Sequence, residues 1–351
     1  MKKKFFYFWA SLVALGATTA MGHASSSMSV SKMPTGVQEI TLKQGTSTWF
    51  SFPLSEQPVY GGAVSGVTSN VISIASSSAS FATGYAGSAT PYFVQFLSGN
   101  EAGRTLLITG GTSTSLTLDT TDHGIGSTVA LNASGFSVVA GDKFQIFPGD
   151  TLATVFGTNT ASNPLLLNGS SNQGNADQVS LWGTSDTVYY FNTSAGQWEA
   201  TGSSANANNT IIYPYSAMSV YRKSGSNATL VLTGQVTSAN ACQKIVANTN
   251  VYCSSHYATP ILLSQLKMGS NWQTGSNSSL ADTLGIWNAS SSSFTFYYEK
   301  SNGSWYLASG NSSVTQNNVT IPAGAATVIY KRAAVSGANA FLVSAMPYSL
   351  Q

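Results

Sequence analysis

The sequence predicts an all-β fold, with several antiparallel units in a sandwich or barrel-like architecture and an internal duplication in the C-terminal two-thirds of the chain. Short runs of alternating or β-branched apolar residues recur from residue 38 onward. Gly, Asn and Ser interrupt them at about 8–12 residues, the spacing typical of such folds. Examples are residues 49–52 (WFSF), 71–74 (VISI), 92–96 (YFVQF) and 105–108 (TLLI). No segment keeps a helical period, and residues 149–157 and 262–268 are the candidates for short helices.

The N-terminus has the layout of a secretory signal peptide. Three lysines (residues 2–4) precede an apolar run over residues 5–17, and small residues follow up to Ala24. The apolar run is too short to span a bilayer comfortably, and no basic stop-transfer cluster follows it. We expect cleavage after Ala24, with Ala20 as the alternative, and no transmembrane anchor in the mature chain. The expected location is outside the cell, either released or at the cell surface or outer envelope.

The mature chain has few charges. The whole sequence has 14 Lys and Arg, 12 Asp and Glu, and 7% charged residues, against about 25% in ordinary soluble domains. Cleavage after Ala24 removes three lysines and no acid, so 11 basic residues remain against 12 acidic ones. A nearly neutral chain without a basic cluster does not attract nucleic acids or anionic membranes electrostatically, so we expect neither as a partner.

An internal repeat spans the C-terminal two-thirds of the chain. Each copy contains Ala-Asp, an apolar residue before Trp, Tyr-Tyr, Gly-x-Trp and a Tyr before two basic residues, in this order. The landmarks are Asp177, Trp182, Tyr190, Trp198 and Tyr221 in the first copy, and Asp282, Trp287, Tyr298, Trp305 and Tyr330 in the second. The offset grows only from 105 residues at the Asp to 109 at the final Tyr. Each copy therefore predicts a small antiparallel sheet held by aromatic cross-strand pairs.

Two arrangements of the units fit this pattern. The simpler one has three consecutive units after the signal peptide (residues 1–24): an N-terminal β domain at 36–147, a first β repeat at 148–236 and a second at 237–351. The nested alternative rests on residues 45–56 and 251–267, which are both extended segments with an aromatic residue and a proline. In that alternative, residues 57–147 are an insertion in the first copy with a core of their own.

Several short motifs accompany the repeat landmarks. They are 96–104 (FLSGNEAGR), 107–112 (LITGGT), 116–118 (LTL), 140–146 (AGDKFQI) and 150–152 (DTL). With the landmarks, they make nearly the whole mature chain similar to an uncharacterised paralogous family of exported proteins of verrucomicrobial bacteria. The resemblance implies a bacterial source, a surface setting and the same doubled arrangement, but no catalytic or binding residues. The chain departs from the family pattern in its two cysteines and in a shorter lead-in to the second Ala-Asp pair.

Cys242 and Cys253 are the two cysteines of the chain, and the turn-like residues 247–250 (ANTN) lie between them. Export places them where oxidation is permitted. We expect a disulfide across this hairpin-sized loop, worth about 2–3 kcal/mol of stability because it closes a short loop. A metal site is disfavoured because His256 alone cannot complete a set of three or four ligands.

The sequence has no recognisable catalytic, cofactor-binding or metal-binding site. Of its three histidines, His23 leaves with the signal peptide, His123 lies in a polar turn-like segment, and His256 stands alone. It has no Gly-x-Ser-x-Gly elbow and no calcium-loop spacing of acidic residues. Asp177 and Asp282 hold equivalent places in the two copies, so we interpret both as structural residues that bond turns or backbone amides. We expect a protein that is not an enzyme and has no cofactor.

Aromatic residues are the stronger candidates for a binding role. Adjacent residues of a strand point to opposite faces, so one member of each Tyr-Tyr pair is expected to lie outward or at an interface. The candidates for stacking on a ligand, such as a sugar ring, are Trp182, Tyr190, Trp198, Trp287, Tyr298 and Trp305. The alternative, which we favour, is that these residues form the cores of the two units and support their edges.

These observations favour a non-enzymatic structural or interaction protein of the cell surface, the envelope or an extracellular assembly. Its expected partners are copies of itself or other surface proteins, and exposed strand edges offer a natural route of assembly. The alternative is a carbohydrate-binding or adhesive module that uses the repeated Trp and Tyr residues to bind glycans. An outer-membrane barrel and a polysaccharide hydrolase are further alternatives, disfavoured by the short apolar strands and the small number of acidic residues.

Overall fold

The computed structural model describes residues 34–75, 81, 84–87, 89–121, 128–133, 137–182, 186–237, 239–266, 268–269, 272–310, 313–332 and 340–344. They belong to one compact unit, residues 33–351. Nearly all of their regular structure is strand in antiparallel sheets, so the predicted all-β class is confirmed. The expected signal peptide lies outside the described residues. None of the described helices is long and apolar enough to cross a membrane.

A seven-stranded sheet follows the first three strands of the chain. Those three strands are β1 (Thr35–Leu42), β2 (Ser47–Ser51) and β3 (Leu54–Ser55). The sheet, called the inserted sheet below, contains β4 (Tyr60–Ala63), β5 (Gly66–Thr68), β6 (Val71–Ser73), β7 (Tyr92–Phe96), β8 (Thr105–Gly111), β9 (Ser115–Leu118) and β10 (Lys143–Pro148). Its order is β4-β10-β7-β8-β9-β6-β5. Only Val64 and Ser65 separate β4 from β5, so the chain joins the two edges and the sheet curls around its own core, which includes Phe96, Leu106 and Phe144.

The chain then forms the strands of the first repeat. They are β11 (Asp150–Thr151), β12 (Gln178–Trp182), β13 (Asp186–Asn192), β14 (Gln197–Ala200), β15 (Ile211–Ile212), β16 (Ala217–Tyr221) and β17 (Ala228–Val236). One short helix, α1 (Leu152–Phe156), follows β11 within the segment where the sequence indicated a helix. The side chain of Thr151 caps it by accepting a hydrogen bond from the Thr154 amide, which satisfies a free N–H of the first turn.

Strands β1 and β2 complete the sheets of this later segment. β2 pairs with β16 at the edge of a five-stranded sheet of order β14-β13-β12-β16-β2, and β1 pairs with β17 in a sheet of order β1-β17-β3. Strands that precede the inserted sheet in the sequence therefore pair with strands that follow it. We call β1–β3 with β11–β17 the first lobe, and its five-stranded sheet the first sheet.

The second lobe consists of the remaining strands. They are β18 (Ala241–Ile245), β19 (Asn250–Ser254), β20 (Ile261–Leu262), β21 (Thr283–Asn288), β22 (Ser293–Glu299), β23 (Trp305–Leu307), β24 (Thr320–Ile321), β25 (Ala326–Tyr330) and β26 (Ala340–Ser344). A single 3-10 turn, Leu263–Gln265, follows β20 as α1 follows β11. The second sheet has the order β23-β22-β21-β25-β19. The two sheets thus have the same strand order, while the internal duplication itself stays a prediction from the sequence.

Each lobe has its own hydrophobic core. The first core includes Leu42, Phe156, Val179, Phe191 and Trp198. The second core includes Leu263, Leu284, Trp305, Ile321 and Ile329. The inward residues alternate with outward ones along β12 and β21, as the period of a strand with one buried face requires.

Strands β2 and β19, at the edges of the two sheets, meet at the junction of the lobes. The Ser51 amide donates to the Gly324 carbonyl at 2.9 Å, and the Ser254 amide donates to the Tyr215 carbonyl at 3.0 Å. The hydroxyl of Ser254 donates to that of Ser51 at 3.2 Å. Ser51 and Ser254 hold matching positions opposite Ala217 and Ala326, so these contacts relate the two lobes by an approximate two-fold axis.

The other edges of the two sheets, β14 and β23, are bonded to loops of the same chain. The Trp198 amide donates to Asn208 Oδ1, and the Trp305 amide donates to Asn317 Oδ1, both at 2.9 Å. At these residues the edge N–H groups are already satisfied. Assembly by addition of a strand is therefore not favoured at these two edges.

No disulfide joins Cys242 and Cys253, which corrects the expectation from the sequence. Both are buried thiols. The segment between them is not a hairpin, because Cys242 in β18 faces Val343 of β26, whereas Cys253 in β19 faces Thr327 of β25. The turn between the cysteines carries the chain from one sheet to another. Burial also raises the pKa of the Cys253 thiol well above its usual range, which keeps it protonated.

Candidate binding surface

Four of the six stacking candidates are buried and offer no ring face to a ligand. Trp198 and Trp305 are 0% and 1% exposed, and Tyr190 and Tyr298 are 8% and 2% exposed. This corrects the expectation that they stack on a ligand. These four side chains lie in the interior of the protein, as the alternative interpretation expected.

Trp198 and Trp305 anchor the two cores. Trp198 Nε1 donates to the Gly157 carbonyl at 2.8 Å, and its ring lies edge-on to Phe191 with 5.8 Å between centroids. Trp305 packs on Trp272 with 5.7 Å between ring centroids. Strand pairing places both tryptophans on the inward face, so their large apolar area is removed from water.

The buried tyrosines are held on the opposite faces of the sheets. Tyr190 donates its hydroxyl to Glu199 Oε2 at 3.0 Å, and Asn192 Nδ2 donates to the same oxygen at 2.9 Å. The hydrogen bond from Asn192, with those from Gln197 and Tyr190, holds the pKa of Glu199 below its usual range. Glu199 is therefore a bonded structural carboxylate.

The two remaining candidates, Trp182 and Trp287, are partly exposed and meet at the junction of the lobes. They belong to a cluster that we call the aromatic patch, formed by Trp49, Trp182, Tyr252, Trp287 and Phe294. Each of the five side chains is half-buried and lies on the sheet face opposite the hydrophobic cores. The patch spans both sheets.

Trp49 is the centre of the aromatic patch. Its ring stacks on Trp182 and on Tyr252, with 5.1 Å between centroids in each case, and approaches Trp287 at 5.8 Å. Phe294 meets Trp49 edge-on at 5.2 Å. Aromatic pairs at these separations add about 0.5–1.5 kcal/mol each beyond the area they bury. The patch therefore helps to hold the lobes together and presents the remaining ring surface to solvent.

Strand register explains how the patch forms. Trp49 faces Ser219 in the first sheet, and Tyr252 faces Val328 at the matching place in the second. Contact between β2 and β19 then brings the two positions together across the approximate two-fold axis. The sequence indicated Trp182 and Trp287 as candidates, but not the other three members, Trp49, Tyr252 and Phe294. One signal in the sequence could have indicated Trp49 and Tyr252. They lie in segments 45–56 and 251–267, which the nested alternative treats as corresponding parts of the two copies.

A groove of about 400 Å³ adjoins the patch on the same face of the second sheet. Phe294 belongs to both, and Phe296 continues the apolar lining two residues further along β22. Arg332, Ser278 and Thr283 supply polar groups. Among the described residues that line the groove, Arg332 is the one charged side chain.

Asp177 and Asp282 do the structural work that their equivalent positions indicated. Asp177 accepts hydrogen bonds from the amides of Asn168 and Lys223, both at 2.8 Å. Asp282 accepts them from the amides of Gln273 and Arg332, at 2.8 and 2.9 Å. Each also faces a buried cation, Arg222 at 3.4 Å and Lys331 at 2.9 Å respectively. Both carboxylates are therefore engaged in structural hydrogen bonds and ion pairs.

His256 is a partly buried, neutral side chain. Its Nε2 lies 3.2 Å from Gln243 Oε1, and burial lowers its pKa to about 4. His123 lies outside the described residues. No group of three or more His, Cys, Asp or Glu side chains among the described residues is placed to hold a metal ion.

Comparison with protein-family models, with curated proteins and with solved structures finds no match to this chain.

Proposed function

We propose that the chain is a non-enzymatic interaction protein that contacts its partner through the aromatic patch. The supporting observation is the cluster of five half-buried aromatic side chains where the two sheets meet. Rigid aromatic surfaces of this kind are enriched in protein interfaces and lose little entropy on binding. The bonded edges of β14 and β23 support a contact through this face in preference to the addition of strands.

The proposal places the mature protein outside a bacterial cell, at the surface, in the envelope or in a secreted assembly. It is supported by the signal-like N-terminus and the low charge of the chain. Membership of the exported verrucomicrobial family is part of the same proposal. The partner is another copy of the chain or another surface protein.

Retention in a cell fraction tests this function. Mass spectrometry of washed cells, envelope and culture medium first locates the full chain in the bacterium that encodes it. We expect the double variant Trp182→Ala, Trp287→Ala to leave that fraction for the medium, because it removes much of the exposed ring surface. The matched control, Val37→Ala with Val231→Ala, changes two exposed apolar residues away from the patch and should stay in place. Equal retention of both chains would overturn the proposal.

Carbohydrate binding is the second candidate function. It is favoured by the partial exposure of Trp182 and Trp287 and by the groove that shares Phe294 with the patch. A glycan array separates it from protein contact. We expect binding by the full chain and its loss in the Trp182→Ala, Trp287→Ala variant. The absence of glycan binding, or binding indifferent to both changes, would exclude it.

A further inference from the structure

The groove of the second sheet combines three features of a site for an acidic sugar. It has two aromatic side chains on one strand, hydroxyl groups around them and a guanidinium group. Its volume, about 400 Å³, lies within the range of about 300–1,000 Å³ typical of small-molecule sites. We propose that it binds a uronate, a pyranose ring with a carboxylate group. This inference rests on the second candidate function and names the ligand class.

Arg332 is held in place yet keeps donors available for a ligand. Its Nε donates to the carbonyls of Ser278 and Ala281 at 2.9 and 3.1 Å, and its Cζ lies 5.2 Å from the centroid of the Tyr330 ring. Among the described residues, no acidic side chain forms an ion pair with it, because Asp282 accepts from the Arg332 amide and pairs with Lys331. The terminal guanidinium nitrogens can therefore form a charge-assisted pair with a carboxylate.

Gly285 positions the apolar part of the groove. It faces Phe296 across β21 and β22, and a Cβ atom there would lie 2.9 Å from Phe296 Cε1 and 2.5 Å from Val328 Cγ1. A side chain at this position would force these neighbours to shift. The glycine thus lets the Phe296 ring lie across the neighbouring strand, where its face can pack against the C–H groups of a sugar ring.

The first sheet supplies an internal control, because it lacks this groove chemistry at matching positions. Asp186 faces Trp182 where Phe294 faces Trp287, and Val188 faces Ser180 where Phe296 faces Gly285. The carboxylate of Asp186 would repel an anionic ligand. The inference therefore predicts one uronate site in the chain, in the second lobe.

Calorimetric titration of the full chain with tri-galacturonate, tri-mannuronate and a hyaluronan tetrasaccharide tests the inference. We expect at least one to bind, and its methyl ester, which keeps the ring but lacks the charge, to bind at least tenfold more weakly. Arg332→Gln keeps the backbone amide bonded to Asp282 and should weaken binding by about 10–100-fold, as expected for a lost charge-assisted bond. The control Lys223→Gln, at the matching exposed position of the first lobe, should bind as the unchanged chain does.

Phe296→Val places the first-lobe residue in the groove without touching the bonds of Arg332, and we expect it to weaken binding at least fivefold. It keeps the test decisive if Arg332→Gln does not fold. The inference is overturned if no uronate binds, if the methyl ester binds equally, or if Lys223→Gln loses as much affinity as Arg332→Gln. Binding of neutral glycans that depends on Trp182 and Trp287 but not on Arg332 would overturn this inference and leave the second candidate function intact.

Discussion

The two lobes share a strand order but fill it with different side chains. Phe50 lies in β2 and belongs to the first core, whereas Cys253 holds the matching place in β19. Two residues further along the chain, Phe52 corresponds to Ser255. A cavity of about 40 Å³ remains beside Cys253 and Ser255 in the second lobe. The shared strand order therefore fixes the positions of the buried tryptophans and of the hydrogen-bonded aspartates. The side chains that fill the cores and those on the outer faces of the sheets differ between the lobes.

The outer faces differ in the same way. The second sheet has Phe294, Phe296 and Gly285 where the first has Asp186, Val188 and Ser180. At these three described positions the first sheet is more polar and has no aromatic side chain. Differences of this kind, on an otherwise matching frame, are what make one lobe a candidate for ligand binding and the other a control.

The largest expected effect comes from removing the shared anchors. Trp198→Ala and Trp305→Ala should each lower the free energy of unfolding by about 3–5 kcal/mol, because each deletes a buried aromatic side chain and leaves a cavity. Denaturant unfolding of the full chain measures this. The control Val37→Ala, at a side chain 69% exposed, should change stability by less than about 0.5 kcal/mol.

The same experiment tests whether the lobes unfold together. The contacts of Ser51 with Ser254 and the aromatic patch predict one transition that both tryptophan variants shift. A second transition that shifts only in Trp305→Ala would show that the lobes unfold separately. The contacts at the junction would then not couple the unfolding of the two lobes.

Local patterns account for most of the frame and little of the surface. The alternation of apolar residues predicted the strands, and the repeat predicted matching landmarks in the two copies. The equivalent places of Asp177 and Asp282 predicted a structural role for both acids. The patch could not be predicted in this way, because Trp49 reaches its place through pairing with Ser219, about 170 residues away. No local signal specifies a register across that separation.

The error at the cysteines has the same origin. A short segment between two strands looks like a hairpin when only neighbours are considered. In the structure, β18 and β19 pair with β26 and β25, which lie far along the chain. The burial of Trp198 and Trp305 likewise depends on which face of each sheet turns to the core, and that choice is made by long-range packing.

The second prediction contrasts the responses of the lobes to pH. Burial lowers the pKa of His256 in the second lobe from 6.5 to about 4, so its contribution to stability is present above pH 6.5 and is lost as pH falls toward 4. Burial raises the pKa of Asp150 in the first lobe from 3.8 to about 6, with a further rise from the charge of Glu56. Its contribution is present below pH 3.8 and is lost as pH rises through 6.

These opposite slopes should largely cancel in the unchanged chain between about pH 4 and 6. We expect His256→Gln to leave a stability that falls with rising pH, and Asp150→Asn to leave one that rises, each by on the order of 2 kcal/mol across the window. Unfolding midpoints at pH 4, 5 and 6 measure the slopes. Parallel pH profiles for the two variants would contradict the assignment.

The smallest expected effect concerns two neighbouring hydroxyls of the second lobe, those of Ser254 and Ser255. The matching residues of the first lobe are Ser51 and Phe52. Ser255 Oγ is buried and, among the described residues, has no hydrogen-bond partner, at the place where Phe52 fills the first core. Ser255→Ala should raise the free energy of unfolding by about 1 kcal/mol, because it removes an unsatisfied polar group.

Ser254→Ala is the matched control and should lower stability by about 1–2 kcal/mol, since the Ser254 hydroxyl bonds Ser51 Oγ and the His256 amide. The two changes delete the same atom from adjacent residues, so their opposite signs depend only on the surroundings of each hydroxyl. A loss of stability in Ser255→Ala comparable to that in Ser254→Ala would mean that the Ser255 hydroxyl has a bonding partner in solution. A polar contact in the second lobe would then occupy the space that Phe52 occupies in the first lobe.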